Sequence, residues 1–226
     1  MKETEKAQIL KQSFIFSSLS EGGVTELSHL ASERKFVPGE FIFWEEDAPD
    51  WFYVIAAGKV KAVKHSSLGK EIIIAFFGPG EMFGEVAVFE NKPYPASAQA
   101  LAETSLLGIK REEFINFLIK HPQVALTIIN VLAGRLREAQ GRLRDLAGER
   151  VEQRIARLLL MLSAKLGVDL PFTRQELSDM AGTTTETAIR ILSQWKSRKI
   201  IGSVRSKITI LDETKLRLLA EGPPRV

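Results

Sequence analysis

Cysteine is missing from this 226-residue sequence. That absence excludes disulfides, thiolate metal sites, cysteine-held iron–sulfur clusters and thiol redox switching in one step. Histidine is scarce: three residues, His29, His65 and His121, are scattered along the chain. The H-E-x-x-H zinc pattern, the P-loop and the G-x-S-x-G elbow are all absent. No apolar run approaches the roughly 18 residues that a membrane-spanning helix needs. The first residues, MKETEKAQIL, mix acids with lysines and lead into no apolar segment, so they do not read as a secretory leader. The expected location is the cytoplasm, with no membrane partner. An enzyme carrying a regulatory domain is disfavoured for want of catalytic equipment.

What is present supports packed, soluble domains: 45% of residues are hydrophobic and 26% charged. The net charge of +3 hides an asymmetry. Residues 148–226 carry 14 Lys/Arg against 9 Asp/Glu, an excess of +5, whereas residues 1–147 carry 17 against 19, a balance of −2. A basic end suits a partner that presents phosphates.

Three regions separate by pattern. Residues 1–33 read as short amphipathic helices, with Ser20 placed to cap the segment holding Val24, Leu27 and Leu30. Residues 34–110 alternate short apolar runs with Gly, Pro, Asn and Asp turn signals. Strands are expected at 41–44, 52–56, 60–64, 72–76 and 105–109, with turns at Pro38-Gly39, 47–50, Gly58, 66–69, 78–80 and 91–95. Such spacing suits a β-sandwich or a jelly-roll barrel. From about Glu112 the pattern is helical. Ala125, Ile129, Leu132, Leu136, Ala139, Leu143 and Leu146 recur every three or four residues. This 3.5-residue period is stricter than packing on the chain's own domain requires, and predicts a coiled-coil dimer seam. The seam stops near Gly148, a plausible hinge, and a new apolar face begins at Val151. The expected divisions are residues 1–120, 121–147 and 148–226.

Residues 173–196, TRQELSDMAGTTTETAIRILSQWK, carry the most information. Leu177, Ala181, Ala188 and Ile191 give two short helices facing inner surfaces, with Gly182 at the turn between them. Glu186 and Arg190 are four apart and share a face of the second helix. An acceptor and a bidentate donor near a helix N-terminus suit base edges in the major groove of double-stranded DNA. The bland alternative for Glu186 is a capping box with Thr183. Runs at 200–204 and 207–211 flank Arg205-Ser206 as a two-stranded wing, and a last helix covers about 213–220.

Four stretches carry a family resemblance: F-V-P-G-E at 36–40, G-P-G-E-M-F-G-E at 78–85, R-I-A-R-L-L at 154–159, and T-R-Q-E-L with G-T-T-T-E-T and Arg190 between 173 and 190. In this order they resemble the cyclic-AMP receptor protein/Fnr (Crp/Fnr) family of transcription regulators, nearer its Fnr-like side. The resemblance implies an α+β chain: an N-terminal β-roll of the jelly-roll, cyclic-nucleotide-binding-like kind, a long coiled-coil dimerisation helix, and a C-terminal winged helix-turn-helix. It implies a homodimer on a two-fold symmetric site with a TGA-like core, acting as an activator with RNA polymerase as a partner. It assigns base reading to Thr185, Glu186 and Arg190, and phosphate contacts to Thr173, Arg174, Thr184, Thr187, Arg205 and Lys207. Thr185 would tune specificity through a thymine methyl or its hydroxyl. Lys196, Arg198 and Lys199 read as a solvated helix end.

The same resemblance weakens one expectation. Cyclic-nucleotide binders of the family follow a Gly-Glu pair with Arg-Ser about ten residues on. Here Gly84-Glu85 is followed by Pro95-Ala96, so the phosphate-binding arginine is absent, and Ala139-Gln140 replaces the hydroxyl pair of the dimer helix. A cyclic nucleotide is therefore disfavoured. Gly84, Glu85, Ser97 and Gln140 are left to line an effector pocket. A haem stays open as cofactor, with His29, His65 and His121 as axial candidates, and the effector is unassigned.

Overall fold

The computed structural model describes residues 1–65, 71–204 and 207–222. The turn expected at 66–69 and the contact expected of Arg205 lie outside the described residues. The chain forms two compact units, Met1–Arg135 and Leu136–Val226.

The first unit opens with α1 (Glu3–Gln12), a 3-10 turn (Phe14–Phe16) and α2 (Glu21–Leu30). Ser20 caps α2 by accepting from the Gly23 amide. Eight strands follow: β1 (Ser32–Phe36), β2 (Phe41–Phe43), β3 (Trp51–Ala57), β4 (Val60–His65), β5 (Glu71–Phe77), β6 (Met82–Phe83), then, after the short helix α3 (Glu85–Glu90), β7 (Ser97–Ala100) and β8 (Thr104–Lys110). They pair antiparallel in two four-stranded sheets, ordered β1-β8-β3-β6 and β2-β7-β4-β5. Strand β3 shows why its sequence is unbroken in apolar character. Phe52 and Val54 face a core shared with the helices, while Tyr53 and Ile55 face the space between the sheets. A strand buried on both faces has no polar side to alternate with.

All five expected strands form. Three others and α3 were not expected. β7, S-A-Q-A, has little strand propensity and is held by pairing with β2 and β4. β1, S-E-R-K-F, is charged, and its register is set by β8.

Helix α4 (Arg111–Lys120) turns through 111° into α5 (Pro122–Gly148). Pro122 starts α5 where a missing N–H costs nothing. No single helix among the described residues is long and apolar enough to cross a membrane. Val124 and Ile128 of α5 enter the first unit's core. Part of the expected seam borders that core. Ala125 and Leu132 flank that inward face and lean on their own unit's core, half-buried. Ile129, Leu136, Ala139, Leu143 and Leu146 remain exposed, and Leu126 joins them.

In the second unit α5 is followed by α6 (Val151–Leu166), β9 (Asp169–Leu170), α7 (Arg174–Met180), α8 (Thr185–Ser197), β10 (Ile201–Val204), β11 (Lys207–Ile210) and α9 (Glu213–Glu221). The wing strands β10 and β11 pair as expected, and β9 adds an unexpected third strand to β11. Ile155, Leu159, Leu162, Leu177, Ala188, Leu192, Trp195 and Leu216 are fully or nearly fully buried. The Trp195 indole N–H donates to Glu152 Oε1 at 3.1 Å.

Candidate DNA-binding surface and effector region

Both helices of the helix-turn-helix begin on threonine caps. Thr173 Oγ1 accepts from the Glu176 amide at 3.2 Å, and Glu176 Oε2 accepts from the Thr173 amide at 2.7 Å, a reciprocal capping box that starts α7. Thr184 accepts from the Thr187 amide at 3.3 Å and starts α8. The cap is thus Thr184, and the alternative box between Thr183 and Glu186 does not form. Between the helices Gly182 has φ +62°, and a Cβ there would come within 2.5 Å of the Leu146 side chain. Gly182→Ala is expected to cost about 1–2 kcal/mol from the left-handed backbone alone. A thermal melt of the purified variant reads that loss.

Glu186 and Arg190 are exposed on α8. Although they stand four apart, they make no ion pair with each other, and neither has a partner among the described residues. An unpaired carboxylate and guanidinium on one helix face are available to a ligand. Thr185 differs. Its hydroxyl donates to Gln175 Oε1 at 2.5 Å and lies 3.3 Å from Ser178 Oγ. Of the two modes expected of it, a thymine methyl or a hydroxyl contact, the hydroxyl is engaged here in bonding the two helices together.

The expected phosphate contacts divide in the same way. Arg174 is exposed and unpaired among the described residues. Thr173 and Thr184 spend their hydroxyls on the caps, and Thr184 Oγ1 donates to Thr187 Oγ1 at 3.1 Å. The Lys207 ammonium lies 3.0 Å from Asp169 Oδ2, so a phosphate there must compete with a carboxylate. Arg198 and Lys199, read as a solvated helix end, are exposed and unpaired among the described residues, while Lys196 donates to the Ser203 carbonyl at 3.0 Å.

Gly148 ends α5, where a hinge was expected, but arginines tie the joint. Arg154 donates to the carbonyls of Glu149, Ala181 and Gly182 at 2.9, 3.0 and 2.9 Å. Arg157 bridges Asp145 at 2.8 Å and the Ala220 carbonyl at 3.0 Å. The R-I-A-R motif thereby fixes the end of α5 to the turn before α8.

In the effector region Gly84, at φ +80°, starts α3, and Glu85 is buried in its first turn. Arg135 of α5 donates to Glu85 Oε1 at 2.8 Å and to the Met82 carbonyl at 2.7 Å, with its guanidinium 5.0 Å from the Phe77 ring centre. Nothing in the sequence pairs these residues, which lie fifty positions apart. Burial pushes the Glu85 carboxyl above its ordinary range, and Arg135 opposes that shift. Folding therefore favours the protonated carboxyl. Its burial cost is absent below the unfolded pKa, and stability falls as pH rises through the folded one. Ser97 is buried, accepting from the Glu45 amide at 2.8 Å, and Gln140 is exposed on α5.

Arg135→Ala is expected to destabilise the chain by about 2–3 kcal/mol by stranding a buried carboxylate. That is below the full penalty for a buried pair, since the Arg135 side chain keeps 26% of its surface exposed. Adding Glu85→Gln should restore most of the loss in urea denaturation.

The axial candidates are placed as follows. His29 Nδ1 lies 2.6 Å from Glu3, His121 Nε2 lies 3.1 Å from Glu26, and His65 is exposed at the end of β4.

Two family models match the chain in order: a cyclic nucleotide-binding domain over residues 33–121 and a Crp-like helix-turn-helix domain over 153–219. The chain is 31% identical over 214 residues to the cyclic AMP receptor protein of Thermus thermophilus, covering 94% of this chain and 99% of that protein. It is 27% identical over 217 residues to the CRP-like cAMP-activated global transcriptional regulator of Mycobacterium tuberculosis, covering 92% and 97%. The solved structure of FixK2 from Bradyrhizobium japonicum matches with a TM-score of 0.72 at 27% identity, covering 86% of this chain and 99% of that one. With both domain models matched and a 31%-identical relative spanned almost end to end, the chain belongs to the Crp/Fnr family and is a DNA-binding transcription regulator.

Proposed function

We propose that the chain regulates transcription as a cytoplasmic homodimer, without enzymatic activity, reading a two-fold symmetric DNA site with a TGA-like core. The observation that carries this reading is the unpaired Glu186 and Arg190 on one exposed face of α8. In the major groove Glu186 accepts from a cytosine N4 amine and Arg190 donates to guanine O6 and N7. Arg174, Arg198 and Lys199 supply free cations for phosphates, and Lys207 contributes by exchanging Asp169 for a phosphate.

The dimer forms along α5. Leu126, Ile129, Leu136 and Leu143 are 58–67% exposed there, an apolar row that a lone helix would leave in water. Residues 1–120 act as the sensor, 121–147 as the dimerisation helix and 148–226 as the DNA reader. The dimer activates by recruiting RNA polymerase.

Two relatives are named for cyclic AMP. In this chain Pro95 stands where the family's phosphate arginine is expected, and Glu85 is already held by Arg135. DNA affinity is therefore set by a different effector or by the amount of protein. Selection from random duplexes followed by gel shifts with and without cyclic AMP tests the reading. An inverted repeat bound equally well in both conditions is expected. Failure to enrich any inverted repeat contradicts dimeric reading, and a strong gain with cyclic AMP contradicts the effector assignment.

A further inference from the structure

The exposed face of α8 carries one large apolar side chain. Ile189 is 38% exposed, whereas the helix buries Ala188, Ile191, Leu192 and Trp195 on its other side. At about 100° per residue, Thr185, Ile189, Glu186 and Arg190 succeed one another around an arc of about 140°, with Ile189 about 40° from Thr185 and about 60° from Glu186. The isoleucine thus lies inside the arc bounded by the proposed base readers. Thr185 at its edge has its hydroxyl engaged by Gln175 and Ser178. The reading surface between Thr185 and Glu186 is therefore apolar, with the unpaired anion and cation both beyond Ile189 on one side.

A base edge that meets a branched aliphatic chain without losing a hydrogen bond must itself present an apolar group. In the major groove only thymine does so, through its 5-methyl. Cytosine at that place would bring an N4 amine against the isoleucine, and a purine would bring N7, each losing water without gaining a partner. Resting on the DNA-reading function above, we propose that Ile189 is a specificity-determining residue that contacts the 5-methyl of one thymine in each half-site. It selects that base by burying the methyl and by excluding polar edges.

Uracil pairs like thymine but lacks the methyl, so it isolates the contact. On the inverted repeat recovered by selection, each thymine is replaced by uracil in turn and the affinity of the full chain is measured by fluorescence anisotropy. At one thymine position, replacement in a single half-site should weaken binding about three- to fivefold, the effect of one buried methyl-sized group, and replacement in both half-sites by about the square of that. With Ile189→Ala, whose site is exposed enough to leave the fold intact, the same replacement should have no effect. The proposal is overturned if every thymine tolerates uracil in the wild-type chain. It is equally overturned if Ile189→Ala keeps the full sensitivity to uracil. If selection enriches no inverted repeat, the DNA-reading proposal itself fails and takes this one with it. Tight binding to the repeat with no uracil effect fails Ile189 alone.

Discussion

Arg190→Ala is expected to weaken sequence-specific binding severely while leaving the chain folded. Arg190 is exposed and has no partner among the described residues, so truncating it strands no group inside the protein. The loss falls on the complex instead. A bidentate contact to guanine contributes about 1–3 kcal/mol of discrimination per half-site. In a dimer it is lost twice, which corresponds to a roughly 30-fold to 10⁴-fold weaker complex. The residual affinity should move toward that for unrelated DNA, which depends on phosphate contacts and on salt. Gel shifts on the selected site and a thermal melt separate the two effects. A large fall in melting temperature would instead assign Arg190 a structural part.

The second large effect is expected from Leu136→Glu with Leu143→Glu. Both leucines are more than half exposed on α5, and in a dimer two chains would bury four of them. At about 2 kcal/mol for each side chain buried, the row contributes about 8 kcal/mol, before the cost of forcing four carboxylates together. The double variant should be monomeric at micromolar concentration by sedimentation velocity, with an unaltered melt of the first unit. Its affinity for the symmetric site should fall by about 10²–10⁴, because the two half-sites are no longer bound by one linked molecule. A double variant that stays dimeric would place the interface elsewhere.

The helix-turn-helix was legible because its signals are local. Apolar spacing, Gly182 and the threonine starts of both helices lie within 24 consecutive residues. Even there, which threonine caps α8 was decided by geometry: Thr184 takes the place that spacing also allowed to Thr183. The hydroxyl of Thr185 went to Gln175, ten residues back on the neighbouring helix, a contact with no periodicity to announce it. In the β-roll the five strands rich in Val, Ile and Phe were legible, whereas β1 and β7 exist through their partners rather than through their own composition. The Arg135–Glu85 pair needed the fold to bring α5 against α3. A seam of period 3.5 could be seen, but not that the start of the same helix also serves its own unit's core. Ala125 and Leu132 follow from that double duty.

Dimeric reading of a symmetric site is tested most directly by half-site dependence. The affinity of the purified chain is measured for a duplex with both inverted half-sites, for one with a half-site scrambled, and for one with five base pairs inserted at the centre. Recognition helices about 34 Å apart reach the same face of the duplex only when the half-sites are one helical turn apart. Scrambling or insertion should each weaken binding at least about 100-fold. Equal affinity for all three duplexes would contradict a dimer that reads DNA through paired copies of α8.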